Sequence, residues 1–239
     1  MTVAIVLHRA DGAPVATPFR RTAFGTDDPF VEHREIAWEG PDSMIVGRTS
    51  FVGELEVASF PHIETIVVVE GELILTAAGA APAGARSASG CCHRMRHHAS
   101  HPGRISRAVF VLRGRLRQTD EARPCPVARR RRLQAVCIAT GRGLAWPGPA
   151  MPSDNVFSSD GADYRAGTWD STPYHRVVRP HRQNEFMHLL AGSVRFAAPD
   201  GSVLSAGTGD ALFVPQGASI GWESNDRVAK FFVVQSVQA

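Results

Sequence analysis

The sequence predicts an all-β protein. Two observations lead there. From Asn184 to Gly217, apolar runs of four to six residues alternate with Gly, Pro and Asp-Gly punctuation, the pattern of short strands joined by tight turns. Nowhere does the chain read as a helix longer than two turns, because no long window carries a 3.6-residue apolar period.

Taken in order, Val3–Leu7 reads as an edge strand and Arg34–Trp38 as a short one. Ser43–Arg48, Gly53–Ser59, Thr65–Val69 and Glu72–Thr76 follow, with Gly53 and Glu70-Gly71 as punctuation. Between Ala77 and Pro152 the pattern breaks, and only Ala108–Leu112 and Leu133–Ala139 look strand-like or helical. It resumes after Asp154 with Tyr164–Trp169, Tyr174–Val178, Glu185–Leu190, Ser193–Ala197, Ala211–Val214, Ile220–Glu223 and Val228–Val234. Asp200-Gly201 marks a hairpin, because both residues tolerate positive φ.

Two spacings are diagnostic. Glu185 is followed after six residues by Gly192, and Gly209 is followed by Pro215 and Gly217. These are the spacings of the two cupin motifs, and residues 162–235 resemble the cupin superfamily. Together with Gly221-Trp222-Glu223, they resemble the group that includes ureidoglycine aminohydrolase-like and ethanolamine-utilisation proteins. The resemblance implies a jelly-roll barrel (a double-stranded β-helix) whose interior can hold a ligand. Glu64 and Gly71 repeat the first spacing, with a period near 120 residues that suits a duplicated domain. The expected architecture is two cupin barrels in tandem, the N-terminal one incomplete. Residues 1–82 form the first half, 83–152 an irregular basic segment, and 153–239 the C-terminal cupin. The alternative is one cupin with an unrelated β-rich arm.

Composition narrows the function classes. The chain has 239 residues, is 44% hydrophobic and carries a net charge of +3. No apolar run approaches the roughly 18 residues of a membrane span, and Met1–Leu7 is too short for a signal peptide. The expected location is cytoplasmic, with no membrane partner.

A metal-binding cupin presents two histidines at i and i+2, then the glutamate, then a third histidine beyond the second motif. Alternate strand residues point into the barrel, and such nitrogen and oxygen donors suit divalent manganese, iron, nickel or zinc. Aligned on Glu185, the histidine pair falls on Arg179 and His181 and the third on Ile220. Only His181 and Glu185 match, and Arg179 is a permanent cation, so no metal is expected. His175 and His188 are possible substitutes, although regular alternation points His188 away from Glu185. In the N-terminal copy, Glu64 has only His62 nearby, with Ala58 and Phe60 at the pair positions.

The expected C-terminal site therefore consists of Glu185 and His181 as catalytic acid–base candidates, with Arg179, Trp169, Trp222 and Lys230 as ligand-binding residues. Such a set suits a small carboxylate or amide; it also suits a buried Arg–Glu pair that only balances charge. Two functions follow: a cupin that binds a small polar metabolite without a complete metal site, or a small-molecule enzyme of amidohydrolase or isomerase type, with or without a metal. No cofactor is identified, and a homodimer is a compatible assembly.

The segment 83–152 holds fourteen arginines against Asp120 and Glu121, a net of +12, while the rest of the chain carries −9. All four cysteines lie in it. Arg129–Arg132 lack interleaved aromatics, which argues against nucleic-acid binding. Adjacent Cys91-Cys92 does not match zinc-site spacing, and nothing else suggests secreted disulfides. The genetic code offers another reading. Read one nucleotide later, the codons of Cys91–His98 give Ala or Val twice, then Ile or Thr, and, with suitable arginine codons, glycine: a buried strand and turn. The same shift can restore a turn at Ala83 and a linker at Arg132–Ala145. The segment thus reads as a frame-shifted second cupin half, expected to form few regular strands.

Overall fold

The computed structural model describes residues 4–22, 28, 30–50, 52–53, 63–75, 83–86, 89–93, 105–114, 125–127, 150–159, 161 and 163–237, with the backbone alone from 83 to 127. Among these residues the protein is all-β, the one helical element named being a single 3-10 turn at Pro41–Ser43. Among the described residues no helix is long and apolar enough to cross a membrane.

The chain divides into two compact units. One comprises Met1–Val15, Arg130–Val156 and Arg165–Ala239; the other comprises Ala16–Arg129 and Phe157–Tyr164. The strands, in chain order, are β1 (Ile5–His8), β2 (Arg20–Arg21), β3 (Arg34–Glu39), β4 (Ile45–Thr49), β5 (Ile63–Leu75), β6 (Ala83–Arg86), β7 (Ser89–His93), β8 (Ile105–Gly114) and β9 (Cys125–Val127). Then come β10 (Ser153–Ser159), β11 (Tyr164–Ser171), β12 (Tyr174–Pro180), β13 (Asn184–Ala191), β14 (Ser193–Ala197), β15 (Val203–Gly207), β16 (Ala211–Val214), β17 (Ser219–Ser224) and β18 (Val228–Gln235).

The C-terminal unit is a two-sheet jelly roll. A six-stranded sheet, ordered β1-β16-β13-β18-β11-β10, accompanies a four-stranded sheet, β12-β17-β14-β15. Side chains alternate across each strand, so one face of each sheet supplies the core. Met187, Leu189, Leu212, Val214 and Val228 from the first sheet pack with Val194, Phe196, Ala206, Ile220 and Trp222 from the second. The first strand of the chain serves this unit: β1 pairs antiparallel with β16, Ile5 opposite Phe213. Asp210 fastens that edge. Its carboxylate accepts bonds from Arg9 Nη1 at 2.8 Å, Ala10 N at 2.9 Å and Gly207 N at 3.0 Å. Two strands of this unit escape the sequence reading, β10 and β15, both mostly of exposed or half-buried positions that blur the alternation.

The other unit holds an eight-stranded sheet, with β2-β3-β4-β8-β5-β7-β9 in order and β6 paired to β5. Its path β3-β4-β8-β5-β7 repeats the path β10-β11-β18-β13-β16 of the C-terminal sheet. The repeat extends to close packing. A Cβ on Gly47 of β4 would strike the Glu35 carbonyl, and one on Gly167 of β11 would strike the Asp154 carbonyl. The two expected strands Thr65–Val69 and Glu72–Thr76 are one continuous strand, β5, running through Gly71 at φ 82°. Four strands, β6 to β9, fall within the basic segment and pair antiparallel with β5, β7 or β4. Four strands are more regular structure than the frame-shift reading expects of the segment; its side chains, with those of its Cys and His, and the Arg129–Arg132 run and the Leu133–Ala139 reading lie outside the described residues. So do Gly53–Ser59 beyond its first residue, Ala58, Phe60 and His62.

Gly192, the last residue of the first motif, shows why that motif ends in glycine. It sits at φ 78°, and a Cβ there would run into the Arg227 carbonyl. Gly192→Ala combines a left-handed backbone with a backbone collision, and is expected to cost about 3 kcal/mol, read as a lowered urea midpoint.

Candidate functional site

The site is built around Glu185 at the start of β13. Its partners come from a neighbouring strand and a turn. Lys230 on β18 lies opposite Leu189, and its chain runs along the inner wall past Met187, with Nζ 3.3 Å from Sδ. It ends 2.7 Å from Glu185 Oε1. His181 lies between β12 and β13, and the second motif holds it in place. Its N–H donates to Ala218 O and its carbonyl accepts from Gly217 N, both at 2.8 Å. Gly217 at φ 82° makes that turn. His181 Nε2 is then 2.9 Å from Glu185 Oε2. Both carboxylate oxygens are engaged, and the side chains of His181 and Glu185 are each 12% exposed. Burial opposes ionisation of Glu185, but the Lys230 ammonium and the His181 contact outweigh it and hold the carboxyl below the usual carboxylate range.

An aromatic wall stands beside this pair. Trp222 is its hub, stacked on Tyr174 at 5.7 Å and 13°, with Trp169 and Phe196 edge-on at 5.5 Å and 5.4 Å. Trp222 Nε1 donates to Ser224 Oγ at 3.2 Å, so the buried indole loses no hydrogen bond. The Lys230 ammonium lies 4.6 Å from the Trp169 ring centre and 5.0 Å from that of Trp222, where the ring quadrupoles favour a cation.

Five of the six expected residues, Glu185, His181, Lys230, Trp222 and Trp169, are thus brought together. Arg179 is not beside Glu185: its residue is exposed, and Lys230 is the cation on the carboxylate. The strand β12 is irregular between Arg176 and Arg179. Arg176 lies opposite Trp222 and Arg179 opposite Ile220, so three steps on β12 match two on β17, as in a bulge. Directly opposed residues share a face, and the bulge therefore gives both arginines the inner-face register, with Arg179 at the open end. Sequence reasoning missed Arg176, Tyr174 and Met187. Tyr174 and Arg176 share β12 parity, a signal available in the sequence; the bulge that brings Arg179 onto their face is not.

The substitute histidines do not join the site. His188 is 4% exposed on the face of β13 opposite Met187 and Leu189, as alternation requires. His175 is exposed and bonded to Asn225 at 3.0 Å. The donor set does not fit a divalent metal. Glu185 already neutralises an ammonium, the third histidine position is the core residue Ile220, and among the described residues no three of His, Cys, Asp and Glu converge.

The equivalent glutamate of the N-terminal unit is also paired with a cation. Glu64 on β5 meets Arg34 from β3, with Oε1 3.0 Å from Nη1. Arg34 also grips Asp28, through Nε at 2.7 Å and Nη2 at 2.8 Å. Burial works against the charge on Arg34, but Glu64 and Asp28 prevail and raise its pKa above the ordinary arginine value. A buried Arg–Glu pair thus occurs in this molecule, in the other copy of the motif.

Two spacings, a two-sheet barrel and a glutamate on its inner wall lead to one family. Residues 158–232 match the EutQ-like cupin domain family. The C-terminal region of this chain is a cupin domain. A crystal structure of a DUF861-family protein of unknown function from Pseudomonas syringae pv. tomato is similar over 97% of this chain and 99% of that one, at 28% identity and a TM-score of 0.87. A putative glyoxylate-induced protein from Pseudomonas aeruginosa is similar over 98% and 97%, at 12% identity and a TM-score of 0.52. A cupin 2 conserved barrel domain protein from Leptotrichia buccalis is similar over 85% and 88%, at 8% identity and a TM-score of 0.57. These last two are likenesses of fold alone. No curated protein matches the chain in sequence.

Proposed function

We propose that the C-terminal cupin barrel binds a small polar metabolite with its own side chains, without a complete metal site. The observation that carries this reading is the Lys230–Glu185–His181 constellation beside the Trp169–Tyr174–Trp222 wall. A few convergent polar groups set in an apolar wall are the usual anatomy of a small-molecule site. The carboxylate accepts hydrogen bonds, the ammonium and imidazole supply donors, and the rings bury the apolar part of a ligand. The chain as a whole reads as a bicupin, supported by the repeated strand path of the two units and by similarity along nearly its full length to one solved structure.

A second reading is a small-molecule enzyme of amidohydrolase or isomerase type. The 2.9 Å contact between His181 and Glu185 favours it, since an imidazole oriented by a carboxylate is a general base. A thermal-shift screen of small acids, amides and ureides separates ligand binding from an inert barrel. Ligands of the site are expected to raise the melting temperature of the wild type and to lose most of that effect in Glu185→Gln. Equal shifts in both proteins would remove Glu185 from the site. Turnover of a hit, lost in His181→Ala, would favour the enzyme.

A further inference from the structure

Arg176 is the group in the C-terminal barrel that the Lys230–Glu185–His181 constellation does not use. It lies on the inner-face register of β12, opposite Trp222, and its Nε is buried without a hydrogen-bond partner. A guanidinium N–H left unpaired in a buried position costs free energy comparable to a lost hydrogen bond, and more for a charged donor. Arg34 in the other unit shows the contrast: both edges of its guanidinium are taken by carboxylates. Arg176 has no such partner. The carboxylate whose charge reaches it, Glu185, is already held by Lys230 and His181.

Charge runs the same way. Arg176, Arg179 and Lys230 share this side of the barrel with Glu185 as their one carboxylate among the described residues, which leaves the wall positive. Burial lowers the pKa of Arg176; Tyr174 raises it, Arg179 lowers it, and Glu185 raises it. A planar fork short of an acceptor, with a second arginine at the open end of its strand and an aromatic stack beside it, has the recognition chemistry of a carboxylate.

We infer that Arg176, assisted by Arg179, is the anchor for the carboxylate of a small organic acid whose remaining body lies against the Tyr174–Trp222–Trp169 wall, so that an acid binds here in preference to its amide. This rests on the small-molecule reading of the barrel and names the ligand class. Lys230 is not the anchor, because its charge is already matched by Glu185 at 2.7 Å.

The test uses full-length protein and two matched pairs of probes, acetate with acetamide and benzoate with benzamide, titrated by calorimetry or by chemical-shift perturbation at constant ionic strength. Wild type is expected to bind each acid at least about tenfold more tightly than its amide, the range of a charge-assisted hydrogen bond. Benzoate is expected to exceed acetate because of the ring wall. Arg176→Met should abolish the acid preference, Arg176→Lys should keep part of it, and Arg179→Met should weaken it less than Arg176→Met. Should Arg176→Met not fold, the wild-type comparison and Arg176→Lys still decide. Equal binding of acid and amide, or an acid preference that survives Arg176→Met, overturns the anchor while leaving small-molecule binding intact. Absence of acid binding alongside amide or ureide hits in the thermal-shift screen also overturns it. No hits of any class removes both readings.

Discussion

Arg34→Met is expected to be among the most destabilising single changes in the N-terminal unit, costing about 3–5 kcal/mol, the range for breaking a buried ion pair from one side. Arg34 is 2% exposed, and its fork serves two carboxylates, Asp28 at 4% and Glu64 at 1%. Methionine keeps much of the volume and removes the charge, leaving both acids in a medium that disfavours ionisation. For a chain of this size the melting temperature should fall by roughly 10 °C. The pH dependence gives a second reading. Uncompensated buried carboxyls have raised pKa values, so the folded variant binds protons that the unfolded chain has released. Its stability should therefore decline as pH rises from about 5 to 8, a slope absent from wild type. Thermal unfolding followed by circular dichroism across that range measures both effects. A variant that melts within about 2 °C of wild type at pH 7 would mean that the pair contributes little. Adding Asp28→Asn and Glu64→Gln to Arg34→Met should recover much of the loss, because neutral amides cost less to bury than charges.

The parts of the C-terminal domain most legible in the sequence are those where the backbone leaves few choices. Gly192, Gly209 and Gly217 all have positive φ, and glycine is the residue that adopts it without a steric penalty. The spacing of these turns fixes where Glu185 and His181 lie, so both were readable before any coordinates. Trp222 and Lys230 were reached by alternation along single strands. Arg179 was reached from the motif spacing, but not that Arg176 shares its face, because a bulge changes which residues share a face and leaves no mark in residue types. Arg34 was invisible for another reason. Its partnership with Glu64 spans thirty positions and joins two strands that are not neighbours in their sheet, and no local pattern encodes such a contact. The pairing of β1 with β16 is non-local in the same way: Val3–Leu7 reads as an edge strand, but the sequence does not say of which sheet.

Lys230→Met is expected to cost a similar 3–5 kcal/mol in the C-terminal unit, with a different signature in acid. The ammonium lies 2.7 Å from Glu185, and its side chain is 8% exposed. In wild type the carboxyl is held below its ordinary range, chiefly against burial by Lys230 and then by His181. The folded protein therefore keeps Glu185 ionised at pH values where the unfolded chain, with a pKa of about 4.3, has taken up a proton. That contribution to stability is fully present above the unfolded pKa and is lost as pH falls through the folded one. In Lys230→Met the principal stabiliser of the carboxylate is gone and the folded pKa rises, so the variant gives up less on acidification. The gap in melting temperature between the two proteins should be widest near pH 7 and narrower by about pH 4. A gap that stays constant with pH would mean that the loss comes from packing against Met187, Trp169 and Trp222 and not from the charge. The double variant Glu185→Leu/Lys230→Met separates the terms further. Removing both charges leaves neither one buried alone, and such replacements are often neutral or stabilising; the double variant should melt well above Lys230→Met. If it melts no higher, the loss in Lys230→Met does not come from leaving the Glu185 carboxylate buried without its cation.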